Sequence, residues 1–191
     1  MDRGTAEEQL LDAADRLYYE KGIQAVGMDE VRGTSGVSLK RLYQLYPSKD
    51  ELVQAVLRRR DHRIRADLAG YTGSPTDPAE RVLAVFDYLY DWFRQPDFRG
   101  CAFINSFAEL GPSSDGVADV VRTAKQALAD HLRDLVEAAG RPVELADQLV
   151  VLANGAMVTA AITGSPEPAR HAQAAARQLL ASSVGHESRA T

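Results

Sequence analysis

A single cysteine, Cys101, stands among 191 residues. That excludes an internal disulfide framework and a multi-cysteine zinc site. No apolar run is expected to approach the length of a membrane span, and the first residues, with Asp2, Arg3, Glu7 and Glu8, are polar and acidic. Neither a membrane anchor nor a secretory leader is expected, and the sequence reads as cytoplasmic. An excess of positive charge is lacking too: 22 Lys+Arg against 27 Asp+Glu leave −5. A uniformly basic nucleic-acid coat is therefore excluded, although a local basic face is not. Strand-like alternation is absent. So are the His-Glu-x-x-His pattern, clustered carboxylates at metal-ligand spacing, a Gly-x-Ser-x-Gly elbow, a phosphate-binding Walker loop and a dinucleotide glycine fingerprint. The four histidines (His62, His131, His171, His186) are scattered. No enzymatic activity, cofactor or metal is expected.

What remains is helical. With 45% hydrophobic and 26% charged residues the composition is globular, and the expected class is all-α with about nine helices. Thr5 and Glu8 form a capping box, and Leu10, Ala14, Leu17 and Tyr18 recur at helical spacing up to a stop at Gly22. Short helices are expected over 28–35 and 39–45, separated by Ser35-Gly36-Val37-Ser38. A second capping box, Ser48 with Glu51, opens a fourth helix to about Leu68. Gly70 to Asp77 reads as a linker, and Asp77-Pro78 starts the fifth helix. Helices are then expected over 78–94, 100–110, 116–139, 143–163 and 167–184, with a frayed polar tail from Gly185. The expected organisation is a first domain over 1–50, connecting helix and linker over 51–75, a second domain over 76–185, and a flexible tail over 186–191.

The second and third helices carry the most informative pattern. A short glycine-containing turn between two-turn helices is how a helix-turn-helix sets its crossing angle, with Val31, Val37 and Leu42 as the joining core. The exposed face of the third helix then offers Lys40, Arg41, Gln44 and the phenols of Tyr43 and Tyr46. Arg and Lys donate to guanine edges, Gln pairs with adenine, and hydroxyls such as that of Ser38 suit phosphate oxygens. The start of the fourth helix, with Ser48 and Lys49, is a second anion-binding feature. Charge supports this placement: residues 1–65 hold 12 basic and 11 acidic side chains, leaving 10 and 16 for the rest. Arg58, Arg59 and Arg60 lie beyond the anticipated DNA edge and are read first as solvating or as pairing with the acidic second domain.

The stretch from Leu10-Leu11-Asp12-Ala13-Ala14 through Glu20-Lys21-Gly22, Met28-Asp29-Glu30-Val31, Gly36-Val37-Ser38 and Leu42-Tyr43 to Tyr46-Pro47-Ser48-Lys49-Asp50-Glu51-Leu52 resembles the N-terminal domain of TetR-family transcriptional repressors. The resemblance implies that Lys40, Arg41, Tyr43 and Tyr46 face DNA and that Lys49 meets phosphate. Gly27, at the cap of the second helix where Thr or Ser is usual, joins the candidate DNA-facing set. Arg32 and Ser35 stand where small alanines are usual, and Leu45 where a polar residue is frequent.

Farther on, Phe86, Tyr88, Tyr90, Trp92, Phe93, Phe98, Phe103 and Phe107 concentrate aromatic side chains. They form either a plain core or the walls of a small-molecule pocket. The candidate lining is Phe86, Tyr90, Trp92, Phe103, Asn105, Phe107, His131, Met157 and Thr159, around a small apolar or amphipathic effector. Gly100 to Leu110 resembles the sixth helix of one subset of TetR-like regulators, in which the resemblance implies an inducer-binding domain. The eighth helix is apolar around much of its circumference, so it must bury more than one stripe. With the ninth it is read as a homodimer interface carrying Leu149, Leu152, Ala153, Ala156, Ala160, Ala175 and Leu179. The implied partners are palindromic operator DNA, an effector and a second copy of the chain, with no membrane. A DNA-binding protein with a filled core, and a helical small-molecule carrier, are the competing readings.

Overall fold

A computed structural model of the chain describes residues 2–182; the expected tail lies outside the described residues. Among these there are nine α-helices and no strand: α1 (Arg3–Lys21), α2 (Met28–Ser35), α3 (Leu39–Leu45), α4 (Lys49–Gly73), α5 (Pro78–Phe93), α6 (Ala102–Leu110), α7 (Asp115–Ala138), α8 (Leu145–Thr163) and α9 (Glu167–Ser182). The all-α expectation holds, and most boundaries fall within two residues of those read from the sequence.

Two boundaries differ for physical reasons. α1 starts at Arg3 because Asp2 is its cap, accepting from the Arg3 amide, rather than Thr5. α4 runs on to Gly73, through the stretch read as linker. There Thr72 is buried and donates its hydroxyl proton to the Leu68 carbonyl at 3.0 Å, and Tyr71 packs edge-on against Tyr88. These contacts outweigh the weak helix propensity of Gly70 and Gly73.

The chain forms two compact units. The first comprises the described chain up to His62 together with Cys101–Ala124; the second comprises Arg63–Gly100 together with the described chain from Lys125. Thus α6 and the first part of α7, expected within the domain over 76–185, belong to the unit that holds α1, α2 and α3.

In the first unit α1, α2 and α3 pack on one another. Leu10, Val26, Val31, Leu42 and Leu52 are completely buried, with Val37 nearly so. Leu42 sits where α3 meets this core, so Leu42→Ala is expected to destabilise the first unit by about 2–5 kcal/mol, read by denaturant unfolding. α4 is tied to α1 by charge. Arg60 reaches the Asp15 carboxylate at 2.6 and 2.8 Å, with both side chains largely buried, and lies 4.3 Å over the Tyr19 ring. Arg59 pairs with Asp12 at 2.9 Å, and Arg58 donates to the Gln54 side chain at 2.8 Å. Arg59 and Arg60 therefore pair with α1, and Arg58 bonds within α4.

In the second unit α5 packs on α8 and α9, and α8 packs on α9. Phe86, Leu83, Leu89, Leu132 and Leu149 are buried to 2% exposure or less. α9 is further held to α5 by Arg170 and Gln173, which share Asp87, and by Arg177 on Glu80. α8 is long and apolar enough to cross a membrane by length and composition alone, which corrects the expectation that no run approaches that length. Much of that apolar surface is buried in the second unit: Leu149, Ala153, Ala156, Met157 and Ala160 all lie inside.

Candidate nucleic-acid interface

The turn between α2 and α3 is made by Gly36, which caps α2 with φ 68° and returns its amide to the Arg32 carbonyl at 3.1 Å. That left-handed conformation strains any residue with a Cβ, so the glycine sets the turn. Ser38 then caps α3, its hydroxyl accepting from the Arg41 amide at 3.3 Å. Ser35 closes a local turn, donating to the Arg32 carbonyl and accepting from the Val37 amide. Arg32, in place of a small residue, lies exposed beside Asp29.

With Leu42 turned inward, Lys40, Tyr43 and Gln44 are exposed and Arg41 is half-exposed, all on one short helix. Tyr43 keeps 47% of its surface open and Leu39 44%. Leu39 was absent from the sequence-based set; its exposed apolar tip suits a thymine methyl group, and its spacing three residues before Leu42 gave no sign of that exposure. Gly27 caps α2 without a side-chain bond.

Tyr46 departs from the expected outward face. Its ring is buried and its hydroxyl donates to the Glu7 carboxylate at 3.0 Å. Burial first, then that hydrogen bond, push the phenol well above its ordinary pKa. Tyr46 therefore joins the end of α3 to α1. Lys49 is half-exposed at the start of α4, where Ser48 accepts from the Glu51 amide at 3.1 Å. Burial holds the Lys49 amine below its ordinary value, and the Glu109 charge acts in the opposite sense.

The sequence reading missed a clasp behind this reader. Glu109 of α6 accepts from the Gln24 amide at 2.9 Å, while the Gln24 side chain donates to the Glu109 carbonyl at 2.7 Å. Ser114 donates to Asp50 in a short hydrogen bond, and Gln54 lies so close to Gly116 that a Cβ there would collide with it. Segment 101–124 is thus bonded both to the α1–α2 loop and to the start of α4.

The nine candidate effector residues divide between the two units. Phe103, Asn105 and Phe107 belong to the first, where Phe103 is buried, Asn105 exposed and Phe107 44% exposed. The second holds Phe86 and Met157 as buried core, Tyr90 and Trp92 as half-exposed rings, and Thr159 exposed. His131 is half-buried with Nε2 3.1 Å from the Thr72 hydroxyl. Since the Thr72 proton goes to Leu68, Nε2 must carry hydrogen and donate. Burial also lowers the His131 pKa, favouring that neutral ring.

A groove of about 880 Å³ opens between the last part of α4 and α5, lined by Tyr71, Tyr88, Trp92, Asp67, Asp87 and Asp91 among others. Of the nine candidates, Trp92 lines it.

The candidate dimer residues also divide. Of the residues expected at the homodimer interface, Leu149, Ala153, Ala156 and Ala160 are buried within the chain, while Leu152, Ala175 and Leu179 are half-exposed. The apolar side chains that α8 presents outward are Val151 (70% exposed), Val158 (41%) and Ile162 (79%), in line with Gly155. Among the described residues no group of three or more His, Cys, Asp or Glu is placed to hold a metal ion.

Residues 10–56 match the profile of the tetR family of bacterial regulatory proteins, and residues 78–176 match the tetracyclin repressor-like C-terminal domain. The chain belongs to the TetR family. A TetR-family transcriptional regulator from Streptomyces coelicolor, SCO4454, superposes with a TM-score of 0.85 at 31% identity, covering 94% of this chain and 90% of that one. The transcriptional activator FasR of Mycolicibacterium smegmatis is 32% identical over 136 residues, 71% of this chain and 61% of FasR. This chain thus spans about three fifths of the length of that relative. The transcriptional repressor NemR of Escherichia coli is 26% identical over 188 residues, 91% of this chain and 93% of NemR. Membership places the chain in a family of DNA-binding transcriptional regulators.

Proposed function

We propose that the chain is a cytoplasmic, ligand-responsive transcriptional repressor that binds palindromic operator DNA as a homodimer. The observation that carries this reading is the outward face of α3: Lys40, Arg41, Tyr43 and Gln44 stand together on a helix whose Leu42 anchors it in the core. Lys40 and Arg41 supply donors for guanine edges or phosphates, Gln44 an amide for adenine, and Tyr43 a hydroxyl for the backbone. One seven-residue helix reads few base pairs. Two copies placed for half-sites about 34 Å apart multiply that selectivity, and the exposed Val151, Val158 and Ile162 on α8 supply a surface for pairing.

The effector acts through connectivity. Segment 101–124 belongs to the reader's unit but is joined to the second unit at Gly100 and again inside α7. A ligand that shifts α6 or α7 pulls on Gln24 and Asp50 through Glu109 and Ser114. It must bind the state unable to grip DNA more tightly than the competent one, because equal affinity shifts nothing. Repression is favoured over activation by the likeness to NemR across nearly the whole chain, whereas FasR is aligned over 136 residues.

Duplex binding as a function of salt tests the reading. For a chain of net charge −5, only a local cationic face sustains binding to duplex DNA. A log–log slope of magnitude about 4 or more is expected, as counterions leave several phosphates. A slope near zero, or no binding at low salt, overturns it.

A further inference from the structure

The groove between α4 and α5 combines three aromatic rings with side-chain charge of one sign in its lining. Tyr71 meets Tyr88 edge-on with centroids 5.5 Å apart, and Tyr88 stacks on Trp92 at 6.2 Å with planes 22° apart. Trp92 is buttressed in turn by Phe98, edge-on at 5.2 Å. Among these rings stand three carboxylates, Asp67, Asp87 and Asp91, and the lining contains no lysine, arginine or histidine. Asp87 is already matched by Arg170 at 2.5 Å, and Gln173 donates to it at 2.9 Å. Asp91 accepts from the Tyr71 hydroxyl at 2.9 Å, with Arg94 at 3.9 Å on its outer side. Asp67 lies exposed at the α4 edge. The Tyr71 phenol is held above its ordinary pKa, first by its bond to Asp91, then by burial, and then by the fields of Asp91, Asp67 and Asp87. That direction is what a net negative field across the groove produces.

Aromatic faces carry negative quadrupole density, so rings set beside carboxylates favour a cation with an apolar body over a neutral or anionic molecule of the same shape. A bare metal ion does not match: the carboxylates are spread along two helices among rings. The volume suits a drug-sized molecule.

From this juxtaposition we propose that the groove formed by Tyr71, Tyr88 and Trp92 with Asp67 and Asp91 binds an aromatic-bodied organic ammonium ion, and that such cations are the effector class of the regulator. The second half rests on the effector reading above; the first does not. The cation sits against Tyr88 and Trp92, with its charge toward Asp67 and Asp91. Binding there loads the α4–α5 contact, and α4 continues unbroken to the capping box at Ser48, just after the reader helix.

Trp92 is the only tryptophan in the chain, so its fluorescence reports directly on occupancy. The probe is benzyltrimethylammonium chloride, with benzenesulfonate as the oppositely charged comparator, titrated into the full chain. Saturable quenching by the cation, none by the anion, and weakening of at least about tenfold in the double variant Asp67→Asn with Asp91→Asn are expected. Asparagine keeps an acceptor for the Tyr71 hydroxyl, and circular dichroism checks that the variant is folded. Equal quenching by the anion, no quenching by either, or unchanged cation affinity in the folded double variant overturns the site. A separate arm adds the cation to protein held on its selected duplex. Release supports the effector assignment, and saturable quenching without release overturns that assignment while leaving the cation site standing.

Discussion

Val158→Asp combined with Ile162→Asp is expected to convert the protein to a monomer that keeps its helical content and loses operator binding. Both side chains project from α8 away from the second unit's core, at 41% and 79% exposure, one turn apart and in line with Gly155 and Val151. Because neither is buried within the chain, the fold does not depend on them. In a twofold pair each would meet its counterpart's face, so two substitutions place four carboxylates in one apolar interface. Unpaired buried charges of that kind are strongly unfavourable. Monomers then bind half-sites one at a time. The gain from linking two readers disappears, and operator affinity falls by about 10²–10⁴-fold. Size-exclusion chromatography with light scattering reads the first effect, and fluorescence anisotropy on a labelled duplex reads the second. A variant that remains dimeric shows that α8 does not pair through this face.

Replacing Lys40 or Tyr43 with alanine is expected to weaken operator binding by about 30- to 10⁴-fold each, with dimer and fold retained. Contacts of these types are worth about 1–3 kcal/mol apiece, and each occurs twice in a twofold complex. The two variants separate by salt. If Lys40 meets phosphate, its loss lowers the salt slope by about 2 for the dimer, one counterion for each subunit. Tyr43 carries no charge, so its loss weakens binding at every salt concentration while the slope stands. Unchanged anisotropy titrations for both variants contradict the assignment of α3 as reader.

Local chemistry made the reader legible in the sequence. Gly36 and Ser38 mark the turn by conformation and capping, and the spacing of Val31, Val37 and Leu42 orients the helices around it. That same register turns Lys40, Tyr43 and Gln44 outward. Tyr46, four residues after Leu42, lies on the inward side of the α3 period; grouping it with the other polar tips overlooked that spacing, and its partner Glu7 is thirty-nine residues away. The end of α4 escaped for a different reason. Gly70 and Gly73 look like punctuation until Thr72 and Tyr71 find partners.

On α8 the sequence showed apolar residues all around but not which stripe is spent on the core. Leucine and alanine fill the inner side, leaving valine and isoleucine outside, and hydrophobicity alone does not distinguish them. The placement of α6 beside the reader rests on Glu109 and Gln24, eighty-five residues apart, a pairing to which no local period points. The groove likewise needed two helices brought side by side. Tyr88 and Trp92 on α5 were already marked as core or pocket wall, but nothing in the sequence joined them to Asp67 and Tyr71 on α4 or singled out Asp91.

Selection of bound duplexes from a random pool tests the central claim most directly. Two copies of α3 presented on one dimer should enrich an inverted repeat with half-sites centred about one helical turn, or a multiple of it, apart. The enrichment should vanish when Tyr43 and Lys40 are both alanine. A pool that stays random, or that converges on a lone unrepeated half-site, contradicts it.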